Sequence, residues 1–472
     1  MSQDQFEELK ENRTSTQVLI NSANIIDQAD QEMFPAVYVA LEHQLGFSPV
    51  QNGLITTSRS FLQAITTPLW GFFGDKYSRN KILALGCFFW GIFTFLVATA
   101  TSFETMILFR SLSGIGLAVI IPTAYSLLSD YFPEHQRGKA FGLIGLTGVL
   151  GAIVGTLYAT GIQEENIFGI AGWRFAFMTL AFMSFLLGLA IYFFGKDPIR
   201  GSSEKQLVGI VSKKTEEKYK ITLKSSLPKI LANRTYMLIL AQGVLGTIPW
   251  AAIAFIIAWF QYVGFSGIIS AIMFAIIAMG AALGNLFGGM LGDRAAHWNR
   301  DKGRIMIAQI SVFSGIPLII VIFWLIPRET SNFLLFIVLG FITGFMIIWT
   351  APGTNNPIFS ELFEPEIRST AFGFDRLFEG SIAATGTFIV GVLAQYVFGY
   401  IDPMGKSIDQ LDIVTRNANV NALANGMVVT MVIPWIFCFL IYFLVYFSYP
   451  KDRDKANAIL DKRKQEILEN QI

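Results

Sequence analysis

SDYFPEHQRGKAFG at residues 129–142 and SELFEPEIRSTAFG at residues 360–373 decide the fold between them. Ser, Phe, Arg, Ala, Phe and Gly coincide without a gap, at an offset of 231. A second pair stands upstream of each: GFFGDK at 71–76 and GMLGDR at 289–294. Two loops that recur in the same order, each between long apolar segments, read as a parallel internal duplication.

The segments between these loops are built for lipid. Of the 472 residues, 53% are hydrophobic and only 15% are charged, against about 25% charged in an average soluble domain. A water-soluble enzyme and a disordered chain are both disfavoured. A span needs roughly 20 mostly apolar residues. Twelve are expected: 16–40, 53–74, 81–101, 104–128, 139–162, 172–195, 235–262, 267–291, 304–326, 332–356, 369–398 and 422–449. The chain therefore divides into a six-helix bundle at 1–195, a polar linker at 196–234, a second six-helix bundle at 235–449 and a charged tail at 450–472. Lysine and arginine collect in short cytosolic loops. The segments on the side of the termini hold 28 of them and the opposite loops hold three, Arg328, Lys406 and Arg416. Both termini are expected in the cytosol, with the plasma membrane and endolysosomal membranes equally open.

The net charge of +1 suggests no nucleic-acid partner. Cys87 and Cys438 lie in separate apolar segments, which gives neither a disulfide framework nor a metal cluster. No cofactor is expected, and no G-x-x-x-x-G-K-[ST] run is present to bind a nucleotide.

GFFGDKYSRNK at 71–81 resembles the signature loop between helices 2 and 3 of the major facilitator superfamily. It departs at Ser78, where glycine is usual, and at Asn80, where a base is usual. Arg110-Ser-Leu-Ser-Gly114-Ile-Gly116 resembles the family's helix-4 motif, and Gly148, Gly151 and Gly155 resemble its glycine-rich helix 5. The resemblance covers all twelve spans. It is closer still to spinster-like members, carriers of lysolipids and sphingoid phosphates. NIID at 24–27, PLWG at 68–71 and KDPIRG at 196–201 are similar to theirs, whereas Gln28 and Leu117 stand where Arg and Glu are usual. The resemblance implies an all-α membrane protein of the facilitator fold, working by alternating access and usually as a monomer.

Ionisable groups at bilayer depth are costly and generally face a cavity or one another. At 1.5 Å per helical residue, Asp27, Arg110, Arg59 and Glu379 all fall about 16–21 Å into their spans, in one layer near the midplane. Asp27 is the expected proton-coupling residue, the alternative being a static pair that fixes helix 1 against helix 4. Arg110 reads either as a bidentate holder of a substrate phosphate or carboxylate or as the structural partner of Asp27. Arg59 is expected to pair with Asp375 or Glu379, which share a face of span 11 with Arg376 between them. Asp30 and Glu32, farther out, are expected to face water.

Further cavity candidates are Asn24, Gln28, Gln31, Tyr125, Gln242, Trp250, Trp349 and Asn355, each also readable as helix–helix glue. Pro249, Pro352 and Pro357 interrupt spans 7 and 10. The repeated loops imply a cytosolic gate made of Gly71, Asp75, Lys76, Arg79 and Arg137 in one half and Asp293, Arg294 and Arg368 in the other. The expected function is secondary active or facilitative transport of a small organic solute or amphipathic anion, lysolipid-like at its sharpest and coupled to protons. The competing reading is a non-transporting membrane sensor on the same fold. No reaction chemistry is expected.

Overall fold

The computed structural model describes residues 3–131, 134–197, 223–363 and 365–469. Among these residues the helices string into twelve rods, with one further short helix, Leu223–Ala232, between the sixth and the seventh. The first six are Gln3–Ala36 with the short Tyr38–Leu45, Pro49–Lys76, Arg79–Thr99, Phe103–Leu117 continued by Ile120–Tyr131, Glu134–Ile162, and Gly172–Phe194. The second six are Arg234–Ala252 continued by Ile256–Val263, Gly267–Trp298, Gly303–Ile320, Phe333–Ile347 continued by Asn356–Leu362, Pro365–Ala383 continued by Thr385–Val392, and the 57-residue Ile413–Glu469. Ten of the rods are long and apolar enough to cross a membrane. Gln3–Ala36 and Pro49–Lys76 are not among the ten, because Asn21, Asn24, Asp27 and Asp30 in one and Gln51, Asn52, Arg59 and Gln63 in the other lower their hydropathy.

Local chemistry sets the corners. Ser48 caps Pro49–Lys76 by accepting from the Gln51 amide, while the Gln51 side chain accepts from the Ser48 amide. This capping box, with Pro49 at the first helical position, starts the helix sharply. Ser102 and Thr105 form the same device for Phe103–Leu117. Gly46 closes Tyr38–Leu45 at φ 68°, a conformation that disfavours a β-carbon. The proline interruptions fall as expected. A tight three-residue turn, Ile253–Phe255, follows Pro249, and the backbone widens at Ala351–Asn355 around Pro352. A two-stranded hairpin, Asn166–Ile167 with Ile170–Ala171, joins the fifth and sixth rods.

By internal packing the residues gather into two units. The first takes in 1–211, 253–275 and 387–426; the second takes in 212–252, 276–386 and 427–472. In the first unit, Glu134–Ile162 lies against Gln3–Ala36 with almost no side chain between. A methyl on Gly151 would sit 2.2 Å from the Ile25 carbonyl oxygen, and one on Gly155 would sit 2.6 Å from the Ala29 Cα. Small residues at such seams let backbones touch. In the second unit the Tyr236 hydroxyl ties Arg234–Ala252 to the Ala371 carbonyl at 2.8 Å, and the Ser311 hydroxyl reaches the Met346 carbonyl at 2.7 Å.

These contacts make the first testable expectation. Gly151→Ala forces two helices apart and is expected to cost about 1–3 kcal/mol, seen as a lower melting temperature in detergent. Gly145→Ala, on the same helix with open space around it, is expected to melt like the parent. Equal behaviour of the two would contradict the packing.

Leu69, Leu85, Phe95 and Phe182 of the first unit and Leu286 and Phe437 of the second are all exposed. Such an apolar area is unsuited to water and suits acyl chains.

Candidate functional site

The first unit buries four charges around one point. Asp27 and Asp30 come from Gln3–Ala36, Arg59 from Pro49–Lys76 and Arg110 from Phe103–Leu117, and each is 2% exposed or less. Glycines set the approach. A methyl on Gly114 would lie 2.4 Å from the Arg59 carbonyl oxygen, so the backbone carrying Arg59 runs directly against Phe103–Leu117.

The pairing differs from the expected one. Arg110 does not reach for Asp27 and has no fork free for a substrate. Its Nη1 donates to both carboxylate oxygens of Asp30 at 2.7 Å, and its Nη2 donates to the Asp30 carbonyl at 2.7 Å. The guanidinium also lies 5.1 Å from the Phe34 ring centroid and 5.6 Å from that of Phe177. Charge-assisted bonds and ring faces together satisfy a desolvated cation. Asp30 is thus completely buried rather than facing water. Arg59 is likewise corrected: its Nη2 lies 3.4 Å from Asp27 Oδ1 and 3.4 Å from Asp30 Oδ2.

The two acids are held unequally. Asp30 receives a short fork, whereas Asp27 has the long Arg59 contact and a 3.4 Å bond from Gln28 Nε2. Among the described residues, Arg59 Nε and Arg110 Nε are buried without a hydrogen-bond partner. With all four groups ionised the cluster is neutral. Of the two acids, Asp27 is the less tightly held.

The other candidates divide. Asn24 is glue: its Nδ2 donates to the Ile144 carbonyl at 2.7 Å and to Thr147 Oγ1 at 3.3 Å. Gln28 is half-buried and Gln31 exposed. Tyr125 is exposed and Trp250 half-buried. In the second unit Gln242 is glue as well, donating to the Ile239 carbonyl and accepting from Cys438 Sγ at 3.2 Å. Asn355 accepts from the Tyr442 hydroxyl at 2.9 Å, and Trp349 is buried with its indole N–H unpartnered. Asp375 and Glu379 are buried, and Glu379 packs over Gly243, where a methyl would collide with its Oε1. Arg376 is 64% exposed and stands 3.9 Å from Glu379, which also shares a side-chain hydrogen bond with Asp375.

Of the gate residues, the side chains of Asp75, Lys76, Arg137 and Arg368 lie outside the described residues. Gly71 has the Pro122 Cβ at 4.0 Å from its would-be methyl. Arg79 is buried, with Nη1 donating to Ser126 Oγ at 3.0 Å. Asp293 meets Arg304 at 3.0 Å, while Arg294 is exposed. Asn80 has a reason to be an amide: its backbone N–H and its Nδ2 both donate to Asp197 Oδ1, at 3.1 and 2.9 Å. That bond ties the loop after the second rod to the end of the sixth.

Sequence reasoning missed two features. Asp30 was legible as three residues on from Asp27, on nearly the same helix face. The second is the contact of Glu42 with Tyr262 and Tyr400, for which no local signal exists.

The family model described as Major Facilitator Superfamily matches residues 20–387. A probable 4-methylmuconolactone transporter of Cupriavidus pinatubonensis is 26% identical over 391 residues, which span 80% of this chain and 83% of that protein. A sphingosine-1-phosphate transporter of Danio rerio is 24% identical over 189 residues, 40% of this chain and 37% of its own length. A bacterial homologue of the human lysosomal transporter spinster, solved in an inward-facing and unoccupied conformation, superposes with a TM-score of 0.80. It is 19% identical, and the match covers 94% of this chain and 98% of that one, a likeness of fold.

Proposed function

The chain belongs to the major facilitator superfamily and is a multi-pass membrane transporter, and from that premise we propose a secondary carrier that drives an amphipathic anion with protons. Two bundles, 1–195 and 235–449, rock about a central site, with both termini in the cytosol and one chain sufficient. The substrate class is a single-chain lipid bearing phosphate, or a similar small organic anion. The partial match to a sphingosine-1-phosphate transporter supports the lipid. The match to a lactone transporter over most of both chains keeps a smaller anion in the assay.

The observation that carries the reading is the unequal hold on two adjacent acids. Asp30 locks Arg110 with 2.7 Å bonds, whereas Asp27 is buried with 3.4 Å contacts to Arg59 and Gln28 and a further side-chain hydrogen bond from Gln63. A carboxylate so placed takes up a proton when its cation turns to another anion. Arg59, with its Nε unpartnered, is the cation available to do so. Substrate binding and protonation of Asp27 then accompany each other.

Purified protein in liposomes tests this directly. Under an imposed proton gradient, saturable uptake of lysophosphatidate or a sphingoid phosphate is expected. Arg59→Gln is expected to weaken uptake at least tenfold, the worth of one charged hydrogen bond. Uptake of none of the phosphates, with small carboxylates taken up instead, would overturn the lipid assignment.

A further inference from the structure

Glu42, Tyr262 and Tyr400 meet in a closed triangle, drawn from three separate stretches of the first unit. The Tyr262 hydroxyl lies 2.8 Å from Glu42 Oε2, the Tyr400 hydroxyl 2.8 Å from Glu42 Oε1, and the two hydroxyls 2.6 Å from each other. Glu42 is 7% exposed, Tyr262 1% and Tyr400 9%.

Counting protons decides the state of this triangle. Each phenol owns one hydrogen, and an ionised carboxylate owns none. Two hydrogens fill only two of the three contacts. With Glu42 ionised, both phenols point at it, and their oxygens face each other at 2.6 Å with nothing between. Adding one proton to the carboxyl completes a ring. The carboxyl O–H donates to Tyr400, Tyr400 donates to Tyr262, and Tyr262 donates back to the second carboxyl oxygen. Every donor is then used once.

Among the described residues no cation forms an ion pair with Glu42. Arg416, from Ile413–Glu469, spends its Nε on the Tyr262 carbonyl at 2.7 Å. Asp402, on the loop after Tyr400, is another acid whose charge acts against that of Glu42. His43 is the neighbour on the helix carrying Glu42. A buried carboxylate left charged there is costly.

We infer that Glu42, Tyr262 and Tyr400 form a proton-binding site, and that the triangle stays closed only while Glu42 carries the carboxylic proton. Release sends that proton to water and turns Tyr400 toward the carboxylate, and the tyrosine–tyrosine bond is lost. Three stretches, Tyr38–Leu45, Ile256–Val263 and the turn at Tyr400, are then free to part. That this parting opens a mouth of the carrier rests on the transporter reading; the proton site itself does not.

Glu42→Gln separates the possibilities, because a neutral amide donates to Tyr400 and accepts from Tyr262, completing the same ring at every pH. Infrared difference spectra of the full-length purified protein across a pH jump are expected to contain a protonated-carboxyl band that E42Q lacks. Identical bands in both would overturn the proton site, whatever the transport assays give. The second measurement is the labelling rate of V263C by a water-soluble maleimide, against native thiols that are both buried. Labelling is expected to rise about tenfold on deprotonation, the weight of one lost buried hydrogen bond. It is expected to stay slow in E42Q and to be fast at all pH in Y400F. Acceleration of E42Q to the same extent as the parent would sink the latch.

Discussion

Arg110→Ala is expected to lower stability by about 3–5 kcal/mol, the usual penalty for removing one partner of a buried ion pair. The cause is specific. Asp30 receives three short contacts from this one guanidinium, through both carboxylate oxygens and its carbonyl, and is fully buried. Truncation leaves its charge beside that of Asp27, with Arg59 at 3.4 Å as the remaining cation. Thermal unfolding in detergent followed by tryptophan fluorescence measures the loss. Arg110→Lys keeps the charge without the planar fork and is expected to fall between the two. The double variant D30A/R110A removes both charges and is expected to recover much of the loss. If R110A melts with the parent, or the double variant melts no higher than R110A, the pair does not hold these helices.

Asp27→Asn is expected to act on energetics of transport rather than on folding. Asparagine keeps the size and the contact to Gln28 but binds no proton. One coupled proton per cycle makes each pH unit of gradient worth about 1.4 kcal/mol, or about tenfold accumulation. In liposomes carrying D27N, accumulation of substrate is expected to fall to the equilibrium ratio while downhill exchange continues. Gradient-driven accumulation that survives in D27N would remove Asp27 from the coupling role. The contrast with Asp30 sharpens the test. Two acids three residues apart on one helix are expected to fail differently, one in coupling and one in stability.

That contrast also marks what the sequence made legible. Hydropathy was enough for the long apolar rods, ten of which the structure shows long and apolar enough to cross a membrane. A rise of 1.5 Å per residue placed Asp27, Arg59 and Arg110 in one layer, and they do gather around one point. Partner choice was out of reach. Asp27 and Asp30 differ by one turn, and the choice between them is made by helix seams at Gly114, Gly151 and Gly155. Contacts of tenths of an ångström between backbones leave no trace in periodicity. Glu379, at the same estimated depth, packs instead over Gly243 in the second unit. The Glu42 triangle joins residues 220 and 358 positions apart, and no window of sequence contains both.

The final rod has a practical consequence. Its 57 residues amount to a contour of about 86 Å, nearly three times the roughly 30 Å of hydrocarbon it has to traverse. The excess carries Pro450 within it and is pinned at Arg453 by its 2.8 Å bond to Asp301. A helical fusion spliced in register onto that excess would inherit its orientation. A carrier of 52.4 kDa, otherwise hidden in a micelle, would thereby gain a handle for particle alignment in electron microscopy.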